Sequence, residues 1–373
     1  MRRIFLLLGL MMTLAAAGRA EAPVFRQALP GYHYQFPRDF YSHDDYRIEW
    51  WYYTGNLEAA SGRSFGYQLT FFRVALDPRA LADNPSLWRL DQVYFAHLTV
   101  SDLDNERFYF FERINRPALG LAGAASDALR VWNEDWVLSG QGPAHHLTAL
   151  EQGTGIDLNL VPAKPLVIHG AGGVSQKGPE PGNASHYFSF TRMNTTGTVS
   201  VRGRPYRVTG TSWMDHEYSS NQLNPDQVGW DWFSIKLDNN TELMLYQIRL
   251  KGGGIDPYSS GTFVDSRGRG HPIRRGAFQV RATGRWTSPH TGTVYPSGWE
   301  IQVPGKGVRL MVRPMMEDQE LHALRSINQA YWEGSVRVEG EAAGESVTGK
   351  GYVELVGYGR PLRQTLPPAV GAE

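Results

Sequence analysis

Cysteine is missing altogether from the 373 residues. Its absence excludes disulfides, thiolate metal sites and cysteine nucleophiles together. An excess of charge of one sign is missing too. Lys+Arg and Asp+Glu both number 37, for a formal net charge of zero. Such a balance gives no basic footprint, so no nucleic acid is expected as a partner. Long apolar runs are confined to the first residues. No later stretch holds about eighteen consecutive apolar residues, so no transmembrane segment is expected in the mature chain. Helical periodicity is scarce, with short candidates only at Pro78–Ala82 and Asp318–Leu324. Several catalytic signatures are also missing. Gly-x-Ser-x-Gly, His-Glu-x-x-His, the Walker loop and the dinucleotide-binding glycine fingerprint do not occur. Nothing in the sequence therefore points to a cofactor or to a metal.

Aromatic residues and turns are abundant. The chain is 41% hydrophobic and 12% aromatic, with 11 Trp, 18 Tyr, 41 Gly and 22 Pro. At roughly 100–200 residues per domain, its length predicts two domains. Residues 1–22 read as a cleaved secretory signal: Arg2 and Arg3, an apolar Ile4–Ala17, and an Ala20-Glu21-Ala22 cleavage pattern. The mature protein is thus expected in the periplasm or outside the cell. Arg2-Arg3 also fits a twin-arginine signal loosely.

Strand patterns dominate the remainder. Trp50–Leu57 and Ser64–Val74, joined by Ala59-Ala60-Ser61-Gly62, predict a β-hairpin. Phe65, Tyr67, Leu69 and Phe71 mark one face of its second strand. Further runs fall at Val93–Val100, Phe108–Ile114, Leu129–Leu138, Ile156–Pro162, Ser185–Met193 and Pro205–Met214. Many short strands with little helix between them predict an antiparallel sandwich or barrel. The order then repeats. Val228–Leu237 echoes the strand around Trp51, Tyr246-Gln247 echoes Tyr67-Gln68, and Thr348–Glu354 echoes Thr209–Asp215. Collinear repetition predicts two homologous β-domains, 23–220 and 221–373. Lys164–His186, rich in Gly and Pro, reads as a long surface loop or a lid.

The densest chemical cluster is Trp213-Met214-Asp215-His216-Glu217-Tyr218, at a strand end near the domain junction. On an extended strand Asp215 and Glu217 face one way and His216 the other. One side could supply a proton donor or acceptor; equally, the cluster could tie the domains together by hydrogen bonds. Glu49 precedes Trp50-Trp51-Tyr52, and a buried Glu implies a partner such as Arg73. His97 lies mid-strand. Trp230, Asp231, Trp232, Tyr246 and Tyr67 are core or pocket, and a hollow barrel would make those the same surface.

The motifs Glu49–Leu57, Ser175-Gln176-Lys177-Gly178, Gly182–Ser185, Thr191-Arg192-Met193, Ser212–Glu217 and Gly229–Trp232 resemble those of the AttH/carotenoid-hydratase-like family. The resemblance implies an all-β fold of two tandem lipocalin-like antiparallel barrels arising from duplication. It implies an exported protein that binds an elongated isoprenoid or lipid, with cofactor-independent hydration of a C=C bond as the activity. A non-catalytic lipid carrier working with an ABC-type export permease is the alternative that it implies. The "secreted hydrolase" label given to many members finds no nucleophile or metal motif here. Carried over by position, the catalytic candidates are His216, Asp215 and Tyr246. Glu49, Trp51, Tyr67, His97, Glu217, Trp230, Asp231 and Trp232 are the ligand-binding candidates. Where the hydratases are expected to carry an acid two residues beyond the Tyr, this chain has Ile248.

Overall fold

The computed structural model describes residues 25–76, 90–221 and 223–361. The export signal at 1–22 and the helix expected at Pro78–Ala82 lie outside the described residues. Among the described residues there is no α-helix, only strands and short 3₁₀ turns.

Two antiparallel sheets hold the strands of the described residues. The first is built on β1 (Ile48–Ala59), β2 (Ser64–Ala75), β3 (Gln92–Asp102), β4 (Arg107–Asn115), β5 (Trp136–Gln141), β6 (Ala144–Glu151), β7 (Thr154–Pro162), β8 (Ala184–Val201) and β9 (Arg204–Asn221). The second is built on β10 (Gln227–Leu237), β11 (Glu242–Leu250), β12 (Ser260–Val264), β13 (Gly270–Arg274), β14 (Gln279–Thr287), β15 (Val294–Val303), β16 (Val308–Pro314), β17 (Gln329–Ala342) and β18 (Glu345–Leu355). Their spatial orders are β4-β3-β2-β1-β9-β8-β7-β6-β5 and β13-β12-β11-β10-β18-β17-β16-β15-β14. Each strand of the second sheet thus takes the place of the strand nine earlier in the first. The duplication read from the sequence is a duplication of topology.

The repeat needs one correction of register. The two hairpin turns align Ala59 with Leu237 and Arg63 with Thr241, through the same backbone hydrogen bonds. That frame does not match Trp51 to Trp232 or Tyr67 to Tyr246. Trp51 and Tyr67 lie in the first apolar core, whereas Trp232 and Tyr246 lie in a third cluster between the sheets. A one-residue slip moves a side chain to the other face of a strand. Two further expectations change. Leu129–Leu138 is not one strand but two, turning at Glu134-Asp135, with Glu134 at φ 58°. Asp318–Leu324 is not helical; Glu320–Ala323 pairs with β17.

Inside the first sheet, Trp51, Tyr53, Phe65, Tyr67, Leu69, Phe71, Leu98, Phe188 and Met214 form a buried core. Phe233, Leu245, Trp299, Ile301, Leu310 and Val353 do the same in the second. Both sheets thus enclose interiors occupied by buried side chains. Where the sheets meet back to back, Gly66 is required. A Cβ there would stand 2.5 Å from the Tyr352 hydroxyl and 3.0 Å from Ser335 Cβ. Beside it, Asn56 Nδ2 donates to Ser335 Oγ at 2.6 Å.

At one end of the first core, Glu49 and Arg73 are both fully buried and pair at 3.1 Å. Arg73 Nη2 also donates to the carbonyls of His43 and Tyr46. Removing one member of such a pair strands a charge in the core. Arg73→Met should lower the unfolding free energy by about 3–5 kcal/mol in urea titration. An unchanged midpoint would show that Glu49 does not need its partner.

Candidate functional site

A cavity of about 250 Å³ lies between the two sheets. Register builds its walls. On the outer face of the first sheet, His97, Thr70, Tyr52, Asp215 and Ser189 stand side by side across β3, β2, β1, β9 and β8. A second row holds Phe95, Phe72, Trp50, Glu217 and Tyr187. Facing them on the second sheet, Ser260, Tyr246, Trp232, Glu354 and Glu333 form one row across β12, β11, β10, β18 and β17. Trp230 and Ile248 form another.

Strand alternation sorts the sequence candidates. Asp215, Glu217, His97, Trp230, Trp232 and Tyr246 line the cavity. The side chain of His216 instead enters the first core, where Nε2 meets Glu49 Oε1 at 2.9 Å. Glu49, Trp51 and Tyr67 share that interior: the Trp51 indole donates to the Phe40 carbonyl, and the Tyr67 hydroxyl meets Ser212 Oγ at 2.6 Å. Asp231 is held by Arg249 and by the Tyr358 hydroxyl at 3.0 Å, outside the cavity lining. Asp215 and His216 are thus neighbours in sequence and on opposite sides of a sheet.

The interior polar cluster is self-contained. Glu49 Oε1 accepts from His43 Nδ1 at 2.8 Å and from His216, while Oε2 accepts from Arg73 and the His43 backbone. His43 Nε2 reaches Asp39 at 3.1 Å. Burial opposes ionisation of Glu49, but His43, His216 and Arg73 outweigh it and hold its carboxyl well below the usual range. Burial likewise opposes charging of His43, yet Glu49 and Asp39 raise it. The potential ligand atoms of His43, Glu49 and His216 lie within 4.8 Å of one another. Protons from two imidazoles and a guanidinium already occupy the Glu49 oxygens, so the group balances its own charge.

Asp215 and Glu354, which line the cavity, behave in the opposite way. Burial pushes the Asp215 carboxyl up to about 7, against hydrogen bonds from Ser189, from Trp213 Nε1 at 2.6 Å and from the Tyr187 hydroxyl at 2.8 Å. Glu354 is also raised to about 7, by burial and by Asp215 and Glu217, although Trp230 Nε1 donates to it at 2.6 Å. Glu333, beside it, is held well above its ordinary value by burial and by Glu354, and accepts from the Tyr52 hydroxyl at 2.6 Å. Lys177, on the Gly-rich loop, pairs with Glu217 and sits 5.6 and 5.4 Å from the Tyr187 and Tyr246 ring centres. That loop forms part of the wall. The Tyr246 hydroxyl is tied to Ser260 at 2.8 Å and Ser175 at 3.0 Å.

Sequence reasoning did not single out Tyr52, Tyr187, Glu333, Glu354 or Tyr331 as site residues. For Glu354 the signal was present, since the repeat sets it against Asp215.

The AttH-like family model matches residues 27–358. The chain belongs to the AttH-like family. A Nitrosomonas europaea structure assigned to AttH is 32% identical, with TM-score 0.80, covering 91% of this chain and 100% of that one. Kievitone hydratase from Nectria haematococca is 14% identical, with TM-score 0.67, covering 89% and 98%. CghA is 11% identical, with TM-score 0.51, covering 86% and 90%. At those identities the last two share the fold. A comparison with curated proteins gave no match. In this AttH-like chain the duplicated lipocalin-like sheets meet at a seam lined with acids and aromatic rings.

The raised acids make a sign-definite prediction. A carboxyl raised to about 7 when folded, against about 3.9 when unfolded, stabilises fully below pH 4 or so. That stability is lost as pH climbs through about 7. Wild-type stability minus that of Asp215→Asn should therefore fall by a few kcal/mol between pH 4 and pH 8 or so. Urea midpoints across that range measure it, and a flat difference would contradict the raised Asp215.

Proposed function

We propose that the protein is a hydratase-type enzyme adding water across a C=C bond of a hydrophobic substrate held between the sheets. One observation carries this reading: carboxylic acids raised to about 7 stand in an aromatic-lined cavity. Hydration of an unactivated alkene needs a proton donor, and a carboxyl still protonated near neutral pH can serve. Asp215 is the better donor. Trp213 and Ser189 both donate to Oδ1, so the acidic proton sits on Oδ2, which shares only the Tyr187 hydroxyl at 2.8 Å. Protonation of the alkene carbon breaks the π bond and leaves a carbocation. The faces of Trp50, Trp232, Phe72 and Phe95 would stabilise that cation as aromatic rings stabilise other cations. Water then adds to the cation and loses a proton.

The cavity is small for a whole lipid, since ligand pockets commonly run to about 300–1,000 Å³. It suits the reacting end of an elongated molecule. His216 drops out of the chemistry under this reading and serves the fold beside Glu49. The carrier alternative is disfavoured, because a carrier has no use for buried acids that cost stability above neutral pH. Export after loss of residues 1–22 remains part of the proposal, on the signal-like pattern of those residues; an ABC-type permease belongs to the carrier alternative.

Acyclic isoprenoids with a terminal trisubstituted C=C, incubated with the protein in heavy-oxygen water, test the proposal. A labelled alcohol is expected, with turnover at least about 100-fold lower in Asp215→Asn and binding retained. Bound isoprenoid recovered without label would favour the carrier.

A further inference from the structure

A chain of hydrogen bonds joins the cavity to the protein surface. Tyr331, on β17, lines the cavity, and its hydroxyl lies 2.8 Å from His97 Nδ1. His97 Nε2 lies 2.8 Å from Ser326 Oγ. Ser326 Oγ donates to Glu112 Oε2 at 2.6 Å. Glu112, on β4, is only partly buried and also accepts the backbone N–H groups of Arg325 and Ser326, each at 3.0 Å. The chain therefore runs from one sheet to the other and ends at solvent.

Its polarity is fixed from the outer end. A carboxylate accepts and cannot donate, so the Ser326 hydroxyl must point at Glu112. Ser326 Oγ is then left to accept, so His97 must carry its proton on Nε2. Nδ1 is thereby the acceptor, and the Tyr331 hydroxyl donates to it. His97 is fully buried among Phe72, Phe95, Phe110 and Tyr331. Burial pushes its imidazole down to about 3, so it stays neutral. A neutral imidazole can still pass a proton by changing tautomer, taking one at Nδ1 as it releases another from Nε2.

We propose that Tyr331, His97, Ser326 and Glu112 form a proton conduit that carries the proton released by the attacking water out of the cavity. The inference rests on the hydratase reading and supplies its missing base. As the water oxygen bonds to the carbocation, its O–H bond breaks and the proton goes to Tyr331 Oη. The Tyr331 proton moves to His97 Nδ1, the Nε2 proton moves to Ser326, and the Ser326 proton moves to Glu112. No residue between the ends gains or loses charge, and Glu112 delivers the proton to solvent. Asp215, left as a carboxylate by the first step, takes one proton back from water entering the emptied cavity to close the cycle. A stepwise route through a Tyr331 phenolate is disfavoured, since burial and the carboxyls Glu333, Glu354 and Glu112 raise that phenol well above its ordinary value.

Proton exchange tests the conduit without any substrate, so its failure is separable from failure of the hydratase reading. In protein labelled with nitrogen-15 at histidine, His97 should appear as the neutral Nε2–H tautomer from about pH 6 to 8. Its Nε2 proton should exchange with solvent at least about tenfold more slowly in Ser326→Ala and in Glu112→Gln, at an unchanged melting temperature. An imidazolium, an Nδ1–H tautomer or unchanged exchange in both variants would overturn the conduit. The Thr99→Ser variant, on the same strand but outside the chain of hydrogen bonds, should exchange like the wild type. If Thr99→Ser slowed exchange as much, general tightening rather than the conduit would be the cause.

Discussion

The two-residue period of one long strand organises this molecule. β9 runs through the centre of the first sheet, with β1 on one side and β8 on the other. Along it, Met214, His216 and Tyr218 must face one way, and Trp213, Asp215 and Glu217 the other. The first set completes a core and the second completes a cavity. Neither could move by one position without exchanging a buried ion network for an apolar interior. The same constraint acts on β18 in the second sheet, where Val353 and Leu355 enter the core and Glu354 faces the seam.

Two kinds of buried acid result, and their surroundings set their chemistry. Glu49 is supplied with a guanidinium and two imidazoles, so burial does not neutralise it. Asp215, Glu333 and Glu354 receive hydroxyl and indole donors, and burial prevails. The contrast follows from which cations each face can reach. Arg73 lies opposite Glu49 in the ladder, whereas Lys177, which with Arg47 is one of the two cations that line the cavity, is already engaged with Glu217. A carboxyl without a cation keeps its proton, and a retained proton is what alkene hydration requires.

Much of this was legible in the sequence. Aromatic and β-branched runs gave the strands, their collinear order gave the duplication, and alternation separated Asp215 from His216. The errors in pairing the repeats share a cause. Trp51 and Trp232 look alike as letters, yet the hairpin turns place them on opposite faces, and residue type alone does not fix register. Tyr67 was a ligand candidate because a hollow barrel would make core and pocket one surface; the first core instead takes in both Tyr67 and Trp51. Glu333 and Tyr331 were unreadable for a different reason. Their importance arises from the docking of one sheet on the other, which brings together residues more than two hundred positions apart, such as His97 and Tyr331.

Gly66, at the contact between the sheets, has a wider implication. The cavity belongs to neither core. Its volume is set by how closely two independently filled bodies approach, and small residues such as Gly66 and Ser335 act as spacers. Substitutions at the seam change that spacing, and so the shape of the cavity, without entering the interior of either sheet. The surfaces that bound the cavity and the surfaces that fill the two interiors are different ones.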